Sequence, residues 1–187
     1  IDGTYNVLSN LTSYGNTGIG FEILGDFTTA SALTSYANTS YGIYFNTASR
    51  SIMRESAVFS NSATSQIRAD ISDYNRYVNN TINKGGTDGV YVGSASQGSI
   101  FRNNIITNMT DDGIEDDNAY TGADDTIYTY NYFFGNGRNI EDSTGANVSL
   151  DLGSISSADP DYYPNDSGTA DADSTTTALE DDLQGWT

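Results

Sequence analysis

The chain has no cysteine, no histidine, a single lysine and two prolines in 187 residues. Without histidine there is no imidazole base, no Ser-His-Asp triad and no histidine metal site. Without cysteine there is no thiol nucleophile, zinc knuckle, iron–sulfur cluster or disulfide framework. One Lys and six Arg among 25 carboxylates, net −18, exclude nucleic-acid binding as the main business of the molecule. No apolar run approaches the ~18 residues of a membrane span. The start at Ile1-Asp2-Gly3 reads as a processed product or a fragment. What is present is Asn, Ser, Thr, Gly and 14 Tyr, with Ile at regular intervals. That composition suits a folded chain with a lean core rather than a disordered one. The charge is uneven: residues 1–99 hold seven acids against five bases, residues 100–187 eighteen against two.

A short pattern recurs along the chain. It centres on Ile19, Ile43, Ile67, Val90, Ile114 and Ile140, at spacings of 24, 24, 23, 24 and 26 residues. In the first four occurrences apolar residues alternate (Ile19/Phe21, Ile43/Phe45, Ile67/Ala69, Val90/Val92), the period of a strand with one buried face. Glycine precedes four of the six centres, which suits tight corners with positive φ. A second apolar cluster lies upstream in each period, at Leu11, Leu33, Val58, Ile82, Ile105/Ile106 and Tyr132/Phe133. Short strands, polar turns and a beat near 24 predict a coil stacked on itself: an all-β, right-handed parallel β-helix of about six coils over residues 1–146. Residues 147–187 lose the beat and are expected to form an irregular acidic segment packing on the solenoid through Tyr162, Tyr163, Leu179, Leu183 and Trp186. The first coil shows no cap, so upstream coils or end-to-end self-association are expected there.

The segment Asn103-Asn104-Ile105-Ile106-Thr107-Asn108-Met109-Thr110-Asp111-Asp112-Gly113-Ile114 resembles the repeat of right-handed parallel β-helix proteins of the pectate-lyase-like superfamily. The endings Ala158-Asp159-Pro160 and Leu183-Gln184-Gly185 resemble the tails of its secreted members. The resemblance covers about residues 5–142. It implies the fold and an extracellular or cell-surface location, but spans lyases, hydrolases, epimerases, tailspikes and non-catalytic surface proteins.

Seven carboxylates fall within fifteen residues: Asp111, Asp112, Glu115, Asp116, Asp117, Asp124 and Asp125. Hard oxygen donors at this density suit Ca²⁺, though a solvated acidic face has the same composition. Asp116 and Asp142 occupy the beat positions held by Phe21, Phe45, Ala69 and Val92 in earlier coils. A buried carboxylate there needs a cation, a partner or an altered register. Asp88 and Asp112 are 24 apart and should stack on adjacent coils, with Thr87 and Asp111 beside them. Paired carboxylates of this kind perform glycoside hydrolysis, and the resemblance implies the same for Asp88, Asp111 and Asp112. For the superfamily's calcium-dependent lyases the resemblance implies a Lys or Arg base, here Lys84, Arg68 or Arg102.

The outward row Gly20, Tyr44, Arg68, Tyr91, Glu115, Glu141 offers Tyr44, Arg68 and Tyr91 as a carbohydrate-binding surface. The pairs Asn79/Asn103 and Asn80/Asn104 are placed to form internal Asn ladders. Sequons at Asn10, Asn38, Asn79, Asn108, Asn147 and Asn165 are candidate glycosylation sites of a secreted protein. Two functions stay open. One is an extracellular structural or adhesive, glycan-associated and calcium-binding surface protein; the other is a polysaccharide-degrading lyase or hydrolase.

Overall fold

The computed structural model describes residues 1–117, 126–142 and the strand pair 155–156. Nineteen short strands, and no helix, occur among the described residues. They stack into three parallel sheets. Sheet A holds β1 (Val7–Ser9), β4 (Thr29–Ser31), β7 (Ile52–Arg54), β10 (Arg76–Val78), β13 (Ile100–Arg102) and β16 (Ile127–Thr129). Sheet B holds β2 (Thr12–Tyr14), β5 (Thr34–Tyr36), β8 (Ala57–Phe59), β11 (Thr81–Asn83), β14 (Ile105–Thr107), β17 (Tyr132–Phe134) and β19 (Ile155–Ser156). Sheet C holds β3 (Phe21–Ile23), β6 (Ile43–Asn46), β9 (Ser65–Asp70), β12 (Asp88–Val92), β15 (Asp112–Asp116) and β18 (Arg138–Asp142). Each coil contributes one strand to each sheet, and neighbouring coils rise by about 4.8 Å.

Most strands are three residues long with only the middle side chain inside. The interior is therefore a set of columns. Leu8, Ala30, Met53, Tyr77, Phe101 and Tyr128 line sheet A, and Val58, Ile82, Ile106 and Phe133 line sheet B. Tyr77 stacks on Phe101 at 4.6 Å, and Phe101 on Tyr128 at 5.7 Å. Asp116 takes the inward column of Val92, as the beat requires. Its partner is the Tyr128 hydroxyl, which donates to Oδ2 at 2.5 Å. The side chain of Asp142 lies outside the described residues.

The corner between sheets A and B is a column of left-handed residues: Asn10, Ala32, Glu55, Asn79, Asn103 and Tyr130. Glycine does not supply this conformation. The N–H groups of the first five donate to a carbonyl of the following coil, as Asn79 does to Arg102 at 3.1 Å. The next position turns inward and carries a polar ladder. Asn80 N–H donates to Asn104 Oδ1 (3.0 Å) and Asn104 N–H to Asn131 Oδ1 (3.0 Å), while the Asn104 amide also donates to Tyr77 O (2.8 Å). The expected ladder is thus formed by Asn80 and Asn104, whereas Asn79 and Asn103 are its exposed left-handed neighbours. A second ladder runs through Asn16, Asn38 and Asn61, where Gln66 fills the next slot by reaching Asn61 and the Gly85 carbonyl.

The first coil departs from the beat. Val7 pairs Thr29, Thr12 pairs Thr34 and Phe21 pairs Ile43, all offsets of 22. Phe21, not Ile19, is therefore the partner of Ile43, and Ser13 and Ser35 rather than Leu11 and Leu33 centre the first strands of sheet B. The glycines before the centres form a column of Gly20, Gly42, Gly89 and Gly113, none left-handed. They are required by close approach: a Cβ on Gly89 would lie 2.5 Å from Gly113 O and 2.7 Å from Ile106 Cγ2. Strand β19 pairs β17 with Ile155 opposite Tyr132, so sheet B keeps a 23-residue step past the point where the sequence beat fades. The anchors expected in residues 157–187 lie outside the described residues.

Asn104→Ala strands the Asn80 N–H and removes the amide bond to Tyr77 O. Unfolding by denaturant should show a loss of about 2–3 kcal/mol, given roughly 1–3 kcal/mol per orphaned buried group. The adjacent Asn103→Gly, at a left-handed and exposed position, should leave stability unchanged or raise it by less than about 1 kcal/mol.

Candidate functional site

The outer side of sheet C carries an open cleft of about 390 Å³ lined by Thr64, Arg68, Thr87, Asp88, Tyr91, Asp111, Asp112, Glu115, Arg138 and Glu141. The glycine column explains how aspartates reach it. A Cβ on Gly89 would point at Ile106 in the core, and the next side chain, Val90, is also fully buried. Two successive residues thus face inward, and strict alternation is broken at the corner. Asp88 and Asp112, one residue earlier, turn to the cleft, although neighbouring side chains leave them only 4% and 1% exposed.

Two columns build the site. In one, Asp88 pairs Ser65 below, and Asp112 pairs Arg138 above. The Asp112 N–H donates to Asp88 Oδ1 at 3.3 Å. In the other, Arg68, Tyr91, Glu115 and Glu141 succeed one another outward. The outward row therefore begins at Glu22, the partner of Tyr44, and not at Gly20.

Asp88, Asp112 and Glu115 converge so that one carboxylate oxygen from each lies within 4.8 Å of the others. Three like charges at that separation cannot all persist. Burial, then a hydrogen bond and repulsion from Glu115, push Asp88 up to about 7. Burial and a hydrogen bond with Glu141 push Asp112 up to about 7 against the pull of Arg138, and burial raises Glu115. Arg138 Nε donates to Asp112 Oδ1 (2.8 Å) and its Nη2 to Asp112 Oδ2 (2.9 Å) and Asp111 Oδ1 (3.0 Å), with Glu141 also in contact. The bidentate guanidinium favours the ionised form of Asp112, opposing the burial that raises it.

The other wall is aromatic and cationic. Arg68 lies over the Tyr91 ring at 4.4 Å and the Tyr41 ring at 5.4 Å, donates from Nε to Asp70 Oδ2 (2.6 Å) and reaches the Tyr41 hydroxyl (3.2 Å). Tyr44 donates to the same Asp70 oxygen at 3.0 Å. Tyr91 donates to Asp117 Oδ2 at 2.6 Å, and burial with that bond pushes its hydroxyl up to about 12.

The sequence candidates are thereby dispersed. Asp111, Asp112 and Glu115 line the cleft and Asp117 holds Tyr91, whereas Asp116 is inside the coil with Tyr128. Asp124 and Asp125 lie outside the described residues. Lys84 sits at an exposed left-handed corner and Arg102 on sheet A, neither lining the cleft. Arg138 was not among the candidate bases, although its place 26 residues after Asp112 was available as a signal. Among the sequons, Asn10, Asn79 and Asn108 are exposed. Asn38 is fully buried, its amide donating to Asn61 Oδ1 (2.8 Å) and Ser35 Oγ (3.1 Å), so it is not a glycosylation site of the folded chain. Asn147 and Asn165 lie outside the described residues.

Residues 1–151 match the family described as the right handed beta helix region. The chain belongs to this family. The β-helix also resembles the periplasmic alginate epimerase AlgG, with a TM-score of 0.61 and 14% identity over 82% of this chain and 42% of that one. It resembles an alginate lyase from Paenibacillus sp. str. FPU-7, with a TM-score of 0.52 and 16% identity over 70% of this chain and 60% of the lyase. The chain spans less than two thirds of the length of either, and at such identities the likeness concerns the fold alone. No curated protein matches the sequence.

The raised carboxyls fix the sign of a pH effect. A carboxyl whose folded pKa is about 7 and whose unfolded value is near 3.8 holds more protons when folded, so stability falls as pH rises from about 4 to 7. Asp88→Asn keeps the acceptor for the Asp112 N–H and removes one such group. Its melting temperature should exceed that of the parent at pH 8, with the gap closing toward pH 4.

Proposed function

We propose that this β-helix is a polysaccharide-processing enzyme, acting on a secreted or envelope glycan laid along the outer face of sheet C. The observation that carries this reading is the convergence of Asp88, Asp112 and Glu115 in an open cleft, with carboxyls that hold protons near neutral pH. In a chain without histidine, proton transfer in such a cleft falls to carboxyl groups. Hydrolysis is the reaction they fit best. A protonated carboxyl, shared between Asp88 and Glu115, would protonate the departing glycosidic oxygen. Asp112, once ionised above about pH 7 and then held by Arg138, would act on the sugar or on water from the other side. Tyr91 and Arg68 offer a stacking and hydrogen-bonding wall for a neighbouring sugar.

An extracellular structural or adhesive surface protein, the other function open from the sequence, needs no such cluster of carboxyls. The cleft favours the enzymatic reading instead. The resemblance to an alginate epimerase and an alginate lyase supports a second reaction class, proton abstraction beside a uronate carboxylate, with Arg68 or Arg138 against that carboxylate. Incubation with neutral and uronate polysaccharides separates the classes. New reducing ends alone support hydrolysis; unsaturated products support elimination; solvent deuterium entering an uncleaved uronate supports epimerisation. No change in any polymer returns the molecule to the structural reading. Asp112→Asn and Glu115→Gln should each lower kcat by roughly 10²–10⁴-fold, the usual contribution of a positioned acid or base.

The same oxygens also favour a cation site. Ca²⁺ takes oxygens at about 2.3–2.6 Å, and three carboxylates with oxygens within 4.8 Å can share one ion. Binding would displace the shared protons and compete with Arg138 for Asp112. Millimolar calcium should then raise the melting temperature at pH 8 relative to chelator, and the rise should vanish in Asp88→Asn; coincident melts would remove calcium from the account.

A further inference from the structure

The cations of this acidic protein are not scattered. Of six arginines, three occupy outward positions on sheet A: Arg54 on β7, Arg76 on β10 and Arg102 on β13. The register sets Arg54 opposite Val78 and Val78 opposite Arg102, while Arg76 lies between Ile52 and Ile100. The three therefore form a staggered triangle across three consecutive coils, and all are exposed. Arg50 extends the group at the preceding corner, over the rings of Phe27 and Tyr74. No outward position on the described strands of sheet A carries a carboxylate. Glu55, at the corner beyond β7, pairs with Arg54 at 3.2 Å, and both are half exposed. Among the described residues Arg76 and Arg102 make no ion pair.

We propose that the arginine face of sheet A is the docking surface for the chain's own residues 157–187. Charge complementarity selects this occupant. That stretch carries eight acids (Asp159, Asp161, Asp166, Asp171, Asp173, Glu180, Asp181, Asp182) and no base. It also carries Tyr162, Tyr163, Leu179, Leu183 and Trp186. The arginine face continues into apolar side chains left open on the sixth coil, where Ile127 is 47% and Tyr130 49% exposed, with Arg102 over the Tyr130 ring. Reach is ample. The stretch follows β19, one corner of the coil away from sheet A, and 31 residues extend to about 100 Å. Four coils measure only about 20 Å along the rod. Tethering gives it an effective concentration on the order of millimolar, so it outcompetes free polyanions of similar charge.

Trp186 is the sole tryptophan and reports this docking directly. In the full chain at low salt its emission should lie at short wavelength and resist acrylamide quenching. The variant R54E/R76E/R102E should shift the emission to long wavelength and lose that protection. Molar sodium chloride should do the same reversibly to the unaltered chain, because exposed charges are screened within about 3 Å at that strength. The milder R54Q/R76Q/R102Q serves if charge reversal compromises folding, with the far-UV spectrum as the check. Lys84→Glu, on a different corner, should leave Trp186 unmoved. The proposal is overturned if Trp186 is equally accessible in the parent and the arginine variants, or equally protected in both. It is also overturned if dextran sulfate binds the parent at the arginine face without moving the Trp186 signal.

Discussion

Everything in this molecule depends on hydrogen bonding parallel to the rod axis. Each coil is a loop of short strands with almost no structure of its own. Its backbone groups, and the side-chain amides that replace them at corners, are satisfied mainly by the coils on either side. The Asn80–Asn104–Asn131 ladder states the constraint most plainly: an inward amide accepts the N–H of the coil before it and donates to carbonyls nearby. The ladder holds the pitch constant, and constant pitch brings residues one period apart into contact. The carboxyl cluster is a product of that pitch, since Asp88 and Asp112 meet because their coils cannot slide past one another.

A second constraint acts across the rod. The glycine column Gly20, Gly42, Gly89, Gly113 lets the corner before sheet C close against the side chains of sheet B. Where that corner closes, the in–out alternation skips a beat and an aspartate that parity would send inward turns to the surface. Burial follows from the same closeness. Asp88 and Asp112 face a cleft, yet are shielded enough to resist ionisation, the combination acid–base chemistry requires.

The fold was legible in the sequence because its signal is additive: the 24-residue beat repeats and each coil reinforces the last. Asp116 shows how far that went: the beat put it at an inward position provided the register held, and the structure keeps that register and supplies Tyr128 as a partner. The beat failed where a coil changes length. The first coil is short by two residues, so Phe21 and Glu22 hold the positions assigned to Ile19 and Gly20. The site was less legible because adjacency there depends on side-chain direction. Counting acids grouped Asp111 to Asp125 as one set, but side-chain direction sends Asp116 to the interior, Asp117 to Tyr91, and Asp112 and Glu115 toward Asp88. Arg138 was hidden for a related reason: its coil is longer by two or three residues, so a position-by-position reading set it beside the pattern rather than within the column of Asp112.

The cleft draws two or three residues from each of four successive coils, among them Arg68, then Asp88 and Tyr91, then Asp112 and Glu115, then Arg138. Chemistry in such a molecule is inherited as a sequence of interchangeable cassettes. Duplicating the coil of Asp112 would lengthen the acidic row without disturbing the architecture, while losing it would set Asp88 directly beneath Arg138 and turn a proton-sharing cluster into an ordinary ion pair. One repeat gained or lost is therefore enough to exchange one cluster of charged side chains for another while the scaffold stays the same.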